Sequence, residues 1–348
     1  MALRLLQPVD TTTAALVGEH PSGPLDSPVL VTSARDLGRT FGSARGRLLD
    51  AARHFFANGG ARLYLLPFTD FEQEPEAAFA RLDEIDDFSI VASPGYGSGA
   101  VIEAGAGYCE RRADCFFLAD SPAGAGPAEV STLVEGLGVR SSYAALYFPW
   151  LNPASPVPAS GFVAGVLART AASHGVWRTP AGPDAVLRGA EGLTYSLSDS
   201  DRADLNSLGV NVLRTCRSAE LTVWGAQTLA PPAQAEWKYV PVRRTAIFLE
   251  QSIARGTGWA VFEHNDEPLW SMLRRSIEAF LTTQWRLGAF RGAKPEEAYF
   301  VSCDRTTMTQ TDIDAGNAIV LIGFAPLRPA EFVILRIQLR TASSGTDS

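Results

Sequence analysis

The chain has 348 residues, 46% of them hydrophobic and 20% charged, with a formal net charge of −8. A chain of this size holds about two domains and buries on the order of 75% of its unfolded surface, so its core needs neither disulfides nor a metal. The composition excludes a disordered or collagen-like chain, and the acidic balance argues against a nucleic-acid partner. No stretch approaches the roughly 18 consecutive apolar residues of a membrane span. Residues 3–6, interrupted by Arg4, are too few for the apolar core of a signal peptide. The expectation is assembly in the cytosol, without direct membrane insertion and with any release by cell lysis. Cys109, Cys115, Cys216 and Cys303 form no C-x-x-C pair and read as reduced, mostly buried thiols.

Residues 1–18 read as a short arm leading into a strand, the apolar run 14–17 being stopped by Gly18. A second short strand follows at 29–31, and Ser33 caps a small helix starting at Ala34. Leu48, Leu49, Ala52, Phe55 and Phe56 lie at helical spacing, and Asn58-Gly59-Gly60 ends that helix before a strand at 62–66. The acidic residues Glu72, Glu74, Glu76, Asp83, Glu84, Asp86 and Asp87 surround Phe71, Phe79, Leu82 and Ile85, the pattern of an amphipathic helix with a solvated face. Strands recur at 89–92, 115–119 and 143–148, separated by helical patterns at 101–111 and 128–137. This alternation predicts a mostly parallel sheet with flanking helices. A proline-rich loop at 151–160 precedes a helix at 161–169, and Ala230-Pro231-Pro232-Ala233 is the best domain boundary.

Beyond that boundary, a long helix at 267–287 has Trp270, Leu273, Ile277, Phe280, Leu281 and Trp285 as its buried stripe. Its outer stripe is Arg275, Glu278, Thr282 and Arg286. Asn265 or Asp266 serves as N-cap, with Pro268 tolerated in the first turn, which explains the run 263–267 better than a metal site does. In residues 331–340, Val333, Leu335, Ile337 and Leu339 alternate with Arg336, Gln338 and Arg340, the period of a half-buried strand. Such a terminal strand either closes its own sheet or adds to a neighbour's.

Several words resemble, in order and spacing, contractile tail sheath proteins: those of myophage tails, R-type pyocins and phage-like contractile injection systems. They include Arg243-Arg244, Leu249-Glu250-Gln251-Ser252-Ile253, Trp259-Ala260-Val261-Phe262-Glu263-His264, Gly292-Ala293-Lys294-Pro295-Glu296-Glu297, Cys303-Asp304 and Pro329-Ala330-Glu331-Phe332-Val333. Upstream words at 13–18, 28–33, 55–60, 143–150 and 205–211 extend the resemblance over nearly the whole chain. One departure is the start, Met1-Ala2-Leu3-Arg4-Leu5-Leu6, which lacks the family's usual opening and makes the N-terminal arm short.

The resemblance implies an α/β sheath fold with an open, subtilisin-like α/β domain and a C-terminal α+β assembly domain with strand-exchange arms. The expected division is 1–18 arm and first strand, 19–230 outer α/β domain, 231–330 tube-facing assembly domain, and 331–348 C-terminal arm and tail. The implied function is a structural subunit that forms a helical homo-oligomer around an inner tube protein, bounded by baseplate and cap proteins, and contracts on stored conformational energy. A baseplate or tail-terminator adaptor is the alternative. Leu3, Leu5, Phe332, Val333, Leu335, Ile337 and Leu339 are the expected intersubunit arm residues, adding to a neighbour's sheet formed partly by 318–324. Arg274, Arg275, Arg286, Arg291 and Lys294 are the candidate tube-facing cations. The subtilisin-like outline prompts a search for a catalytic triad, but none of His20, His54, His174 and His264 sits in a catalytic motif. Gly95-Tyr96-Gly97-Ser98-Gly99 matches neither a nucleophile elbow nor a phosphate loop and reads as a glycine-rich turn. No cofactor, metal or enzymatic role is expected.

Overall fold

The computed structural model describes residues 4–20, 26–216, 220–327 and 333–341. The chain divides into two compact units, one spanning Asp10–Arg244 and the other joining the segment through Val9 to the residues from Thr245 onward. The division falls inside a helix rather than at Ala230-Pro231-Pro232-Ala233, where Pro232–Trp237 forms only a 3-10 turn of the larger unit.

In the larger unit, eight strands follow the order β2-β3-β1-β4-β5-β6-β7-β8. They are β1 (Ala14–Gly18), β2 (Val29–Val31), β3 (Leu63–Pro67), β4 (Ile90–Ala92), β5 (Phe116–Asp120), β6 (Ala144–Phe148), β7 (Val210–Thr215) and β8 (Leu221–Val223). Six run parallel, while β2 and β8 pair antiparallel at the ends. Every residue of β1, β5 and β6 is buried, because helices cover both faces of a parallel sheet and its strands become apolar runs. The covering helices are α1 (Ala34–Phe41), α2 (Arg47–Ala57), α3 (Pro75–Ala80), α4 (Gly99–Arg112), α5 (Pro127–Glu135), α6 (Ser160–His174) and α7 (Asp199–Ser207). The expected acidic helix is only α3 followed by a 3-10 turn, Arg81–Glu84. Helices α2 and α6 approach until a methyl added at Gly161 would lie 2.7 Å from the Ala51 Cα, and one at Gly165 would lie 2.5 Å from the Phe55 carbonyl. Only glycine fits at those two positions.

Polar brackets fix the loops of this unit. Asn58, at the end of α2, is fully buried; its amide nitrogen donates to the His54 carbonyl (2.9 Å) and its oxygen accepts from the Arg188 backbone (2.8 Å). Asp120 ends β5 with no exposure and accepts from the Gly95 N–H (3.0 Å), the Ser160 N–H (2.8 Å) and the Ser160 hydroxyl (2.6 Å). Burial raises the Asp120 pKa to about 6, against the opposing effect of these hydrogen bonds. The folded state therefore holds an extra proton between about pH 4 and 6, so this group's contribution to stability is complete below pH 4 and is lost as pH rises through 6. Asp120→Asn is expected to flatten the pH dependence of unfolding free energy between pH 4 and 6, read by urea denaturation at four pH values. An unchanged slope in that window would show that Asp120 does not carry it.

The smaller unit contains the end of α8 (Val240–Gly256), a 3-10 turn at Gly258–Phe262, α9 (Glu267–Arg286), α10 (Pro295–Ala298), α11 (Gln310–Asp314) and a three-stranded antiparallel sheet. Its strands are β9 (Tyr299–Ser302), β10 (Asn317–Phe324) and β11 (Val333–Arg340), in the order β11-β10-β9. No helix among the described residues is long and apolar enough to cross a membrane.

Candidate assembly surfaces

Helix α9 is written for its place. Asp266 accepts the Leu269 N–H (3.2 Å) as N-cap, Pro268 sits in the first turn, and the buried side includes Trp270, Leu273, Ile277, Phe280 and Leu281. Trp285, expected in that stripe, is only partly buried and donates its indole N–H to the Gly292 carbonyl (3.1 Å). At the start of the helix, the Trp270 indole donates to Asn265 (2.8 Å), whose amide nitrogen donates to the Ile313 and Asn317 carbonyls (3.2 Å each). Near its end, Thr282 meets the Tyr299 hydroxyl at 2.6 Å. The helix is thus fastened to the sheet near both ends.

Strand β11 shows the alternation read from the sequence, with Val333, Leu335, Ile337 and Leu339 buried and Ile334, Arg336, Gln338 and Arg340 exposed. Its partner is the chain's own β10, from Phe324 opposite Val333 to Asn317 opposite Arg340. The stretch expected to receive a neighbour's strand is therefore occupied, in the single chain, by this chain's own terminal strand. Eight residues separate Phe324 from Val333, enough for the chain to turn back on itself. Phe332 and Leu3 lie outside the described residues.

The N-terminal segment also rests on its own unit. Leu6 is buried, and a methyl added at Gly256 would lie 2.7 Å from its Cγ. The Val9 N–H donates to the Ser252 hydroxyl (3.1 Å). Arg4 lies 4.4 Å from the Trp259 ring and 3.6 Å from Glu263. Leu5, the expected arm residue, is 72% exposed, so Leu6 is the anchor here. Two adjacent leucines in an extended segment face opposite ways, and the sequence alone does not say which one turns inward.

The structure separates the candidate cations. Arg275 and Arg286 are exposed about three turns apart on one face of α9. Arg274 points elsewhere, half-buried with its guanidinium donating to the Cys303 carbonyl. Arg291 is exposed while its backbone N–H is held by the Ala325 carbonyl (2.9 Å), and Lys294 is exposed just before α10.

Among the described residues, no group of three or more His, Cys, Asp or Glu side chains is placed to hold a metal. The Gly95–Gly99 run is a turn in which the Ser98 hydroxyl accepts the Val101 N–H (3.4 Å) as N-cap of α4. Gly97 approaches the Ser121 and Pro122 backbone too closely for any side chain. The Cys109 and Cys115 sulfurs lie 3.3 Å apart as free thiols, and burial, with Cys109 alongside, pushes the Cys115 pKa well up.

With two units and an edge-exposed terminal sheet established, comparison with known proteins decides the family. Residues 75–229 match the phage tail sheath protein central domain, and residues 233–340 match the phage tail sheath C-terminal domain. The chain belongs to the phage tail sheath family. It resembles the PVC sheath complex of an extracellular contractile injection system in the contracted state, at 30% identity and a TM-score of 0.83, over 97% of this chain and 93% of that one. It also resembles the contracted helical sheath of the anti-feeding prophage, at 31% identity and a TM-score of 0.80, over 96% and 94% of the two chains. The tail sheath protein of Vibrio phage KVP40 is 26% identical over 220 residues, which span 61% of this chain but only 32% of that longer sheath protein. The mixed α/β architecture is thus the sheath fold.

Proposed function

We propose that this chain is the structural subunit of a contractile sheath, polymerising in stacked rings around an inner tube and driving that tube through a target envelope when it contracts. The observation that carries this reading is the near-full-length likeness, across both units, to sheath chains solved in the contracted state. Many subunits that each release a modest free energy on rearranging supply the work without nucleotide hydrolysis. The β10–β11 pairing is the element to exchange: the same register formed between two copies preserves every main-chain hydrogen bond while linking subunits, as in a domain swap. The segment from Arg4 to Val9 is the second candidate link. Baseplate and cap proteins bound the assembly at its ends, and the particle forms in the cytoplasm before release.

Arg275 and Arg286, on one exposed face, are the best placed of the cations to meet an acidic tube; Arg274 is already engaged. Electron microscopy of the purified full-length protein at raised concentration tests the sheath reading, with hollow, helically striated tubes as the expected result. Persistent monomers with and without the tube protein would count against it. Arg275→Glu with Arg286→Glu is expected to leave tube-free assembly intact and to reduce co-sedimentation with the inner tube at least tenfold at low salt. Unchanged co-sedimentation would remove these two residues from the tube interface.

A further inference from the structure

At one margin of the large sheet, a cavity of about 360 Å³ opens between α7 and the β7–β8 pair. Arg202 and Asn206 line it from α7, Val212 and Arg214 from β7, and Trp224 and Gly225 from the segment just after β8. The Arg214 guanidinium lies 3.5 Å from the centre of the Trp224 ring. Stacking occupies the face of the guanidinium and leaves its five N–H groups directed outward in one plane. The Arg214 side chain is half-buried, yet its guanidinium makes no hydrogen bond or ion pair among the described residues. Asn206 spends its side-chain oxygen on the Gln227 amide, so the amide nitrogen is what it can offer. Arg202 reaches Asp199 at 2.7 Å, but that acid is fully exposed and the pair is worth little. Among the described residues, none that lines the cavity is acidic. The wall therefore presents donors without an acceptor, and its planar fork beside an aromatic ring is the chemistry that receives a carboxylate.

The chain itself carries the complementary surface. Glu72, Glu74 and Glu76 are exposed around the start of α3, and none of them forms an ion pair among the described residues. Helices α3, α4, α5 and α7 make one layer over a shared core. Helix α3 packs on α4, and α7 packs on α5 and β7. Between them, Glu103 of α4 accepts the Gly138 N–H just beyond α5 (2.7 Å). The acids thus stand at one margin of the layer and the donor cavity at the other, with two helices between. A head-to-tail contact between copies brings opposite margins together and leaves one of each free at the ends, so it propagates. We propose that the Glu72–Glu76 segment of one copy docks at the Arg214–Trp224 cavity of the next, with a carboxylate taken by the Arg214 fork. This inference rests on the reading of the chain as a self-assembling sheath subunit, to which it adds a contact between large units.

Arg214→Glu and the pair Glu72→Arg with Glu74→Arg, made separately and then combined in full-length protein, test the contact. Sedimentation velocity at low salt reads self-association, and electron microscopy of the same samples reads tubes. Each charge reversal alone is expected to weaken association by about tenfold or more, and the combination is expected to restore most of it. Arg214→Gln keeps a planar group on Trp224 without the charge; it is expected to weaken association too, which separates a lost contact from misfolding of Arg214→Glu. Reversals that associate and form tubes like the unaltered chain overturn the contact and leave the sheath reading standing. Losses that the combination does not repair overturn the pairing. Oligomers that show both loss and repair but never grow into tubes support the contact and count against the sheath reading. An unaltered chain that stays monomeric throughout overturns both.

Discussion

Arg112→Ala is expected to cost about 3–5 kcal/mol of unfolding free energy in the larger unit, the penalty for leaving a buried partner charge uncompensated. At about 2–4 °C per kcal/mol for a unit of this size, that lowers its melting temperature by roughly 10 °C. The Arg112 side chain is 11% exposed and grips Asp114, itself 14% exposed, through two hydrogen bonds of 2.9 and 2.7 Å. It also donates to the Leu82 and Ile85 carbonyls (3.0 and 3.2 Å) and to the Tyr108 hydroxyl (3.1 Å), and it lies 4.7 Å from the Phe88 ring. One side chain thus ties the end of α4, the 3-10 turn Arg81–Glu84 and the start of β5. The longer approaches to Asp83 and Asp86, at 3.5 and 3.8 Å with both acids well exposed, contribute little. Arg112→Lys is expected to recover only part of the loss, because a single ammonium cannot serve a carboxylate and two carbonyls in one plane. Thermal unfolding followed by circular dichroism decides it, and a loss under about 1 kcal/mol would mean that Arg112 is not the keystone of this corner.

Removing residues 331–348 is expected to unfold the smaller unit rather than leave an assembly-incompetent but folded monomer. The sequence, taken alone, treats this stretch as a detachable arm. In the structure, Val333, Leu335, Ile337 and Leu339 are only 2–9% exposed and complete the inner face of the sheet. At about 1.5–3 kcal/mol for each buried aliphatic side chain, their loss amounts to roughly 6–12 kcal/mol, comparable with the whole stability of a typical domain. The truncated chain should therefore expose Val320 and Ile322 on β10 and aggregate. A synthetic peptide of residues 333–340 in excess should restore solubility by pairing with β10, which is the strand-exchange event itself performed in trans. A truncated chain that remains monomeric, with full secondary structure and no affinity for the peptide, sinks both the packing argument and the exchange proposal.

How much was legible in the sequence follows from where burial leaves a periodic trace. Strands β5 and β6 are apolar runs bounded by turns, and β11 alternates perfectly, so all three were readable within a residue or two. Helix α9 announced itself through its cap, its first-turn proline and its stripe. Helix α7 did not, because it buries only Leu205 and is otherwise polar; its signal was local, a capping box between Ser198 and Asp201. The two sheath-domain matches meet at Ala230-Pro231-Pro232-Ala233, whereas the division by compactness falls some dozen residues later inside α8, where packing rather than chain punctuation sets the limit. Among the candidate cations, one step along α9 separates Arg274, spent on a carbonyl, from exposed Arg275. Composition cannot distinguish two adjacent arginines, whereas a helix turns them by about 100°.

The two sheets differ in how much template they present to other chains. In the larger unit, β2 is three residues long, and β8 spends its outer side on bonds with the segment around Ala185: Leu187 N–H to the Leu221 carbonyl (2.8 Å), Gly182 N–H to the Val223 carbonyl (2.8 Å), and Val223 N–H to the Ala185 carbonyl (3.1 Å). In the smaller unit, β11 offers an edge eight residues long. Subunits crowded into a filament meet one another at very high local concentration, where any long, unguarded strand edge recruits a wrong partner. Among the described residues, with the large sheet's margins short or occupied and β9 only four residues long, β11 is the longest strand edge, and on the proposed strand-exchange reading edge length directs where a second copy adds.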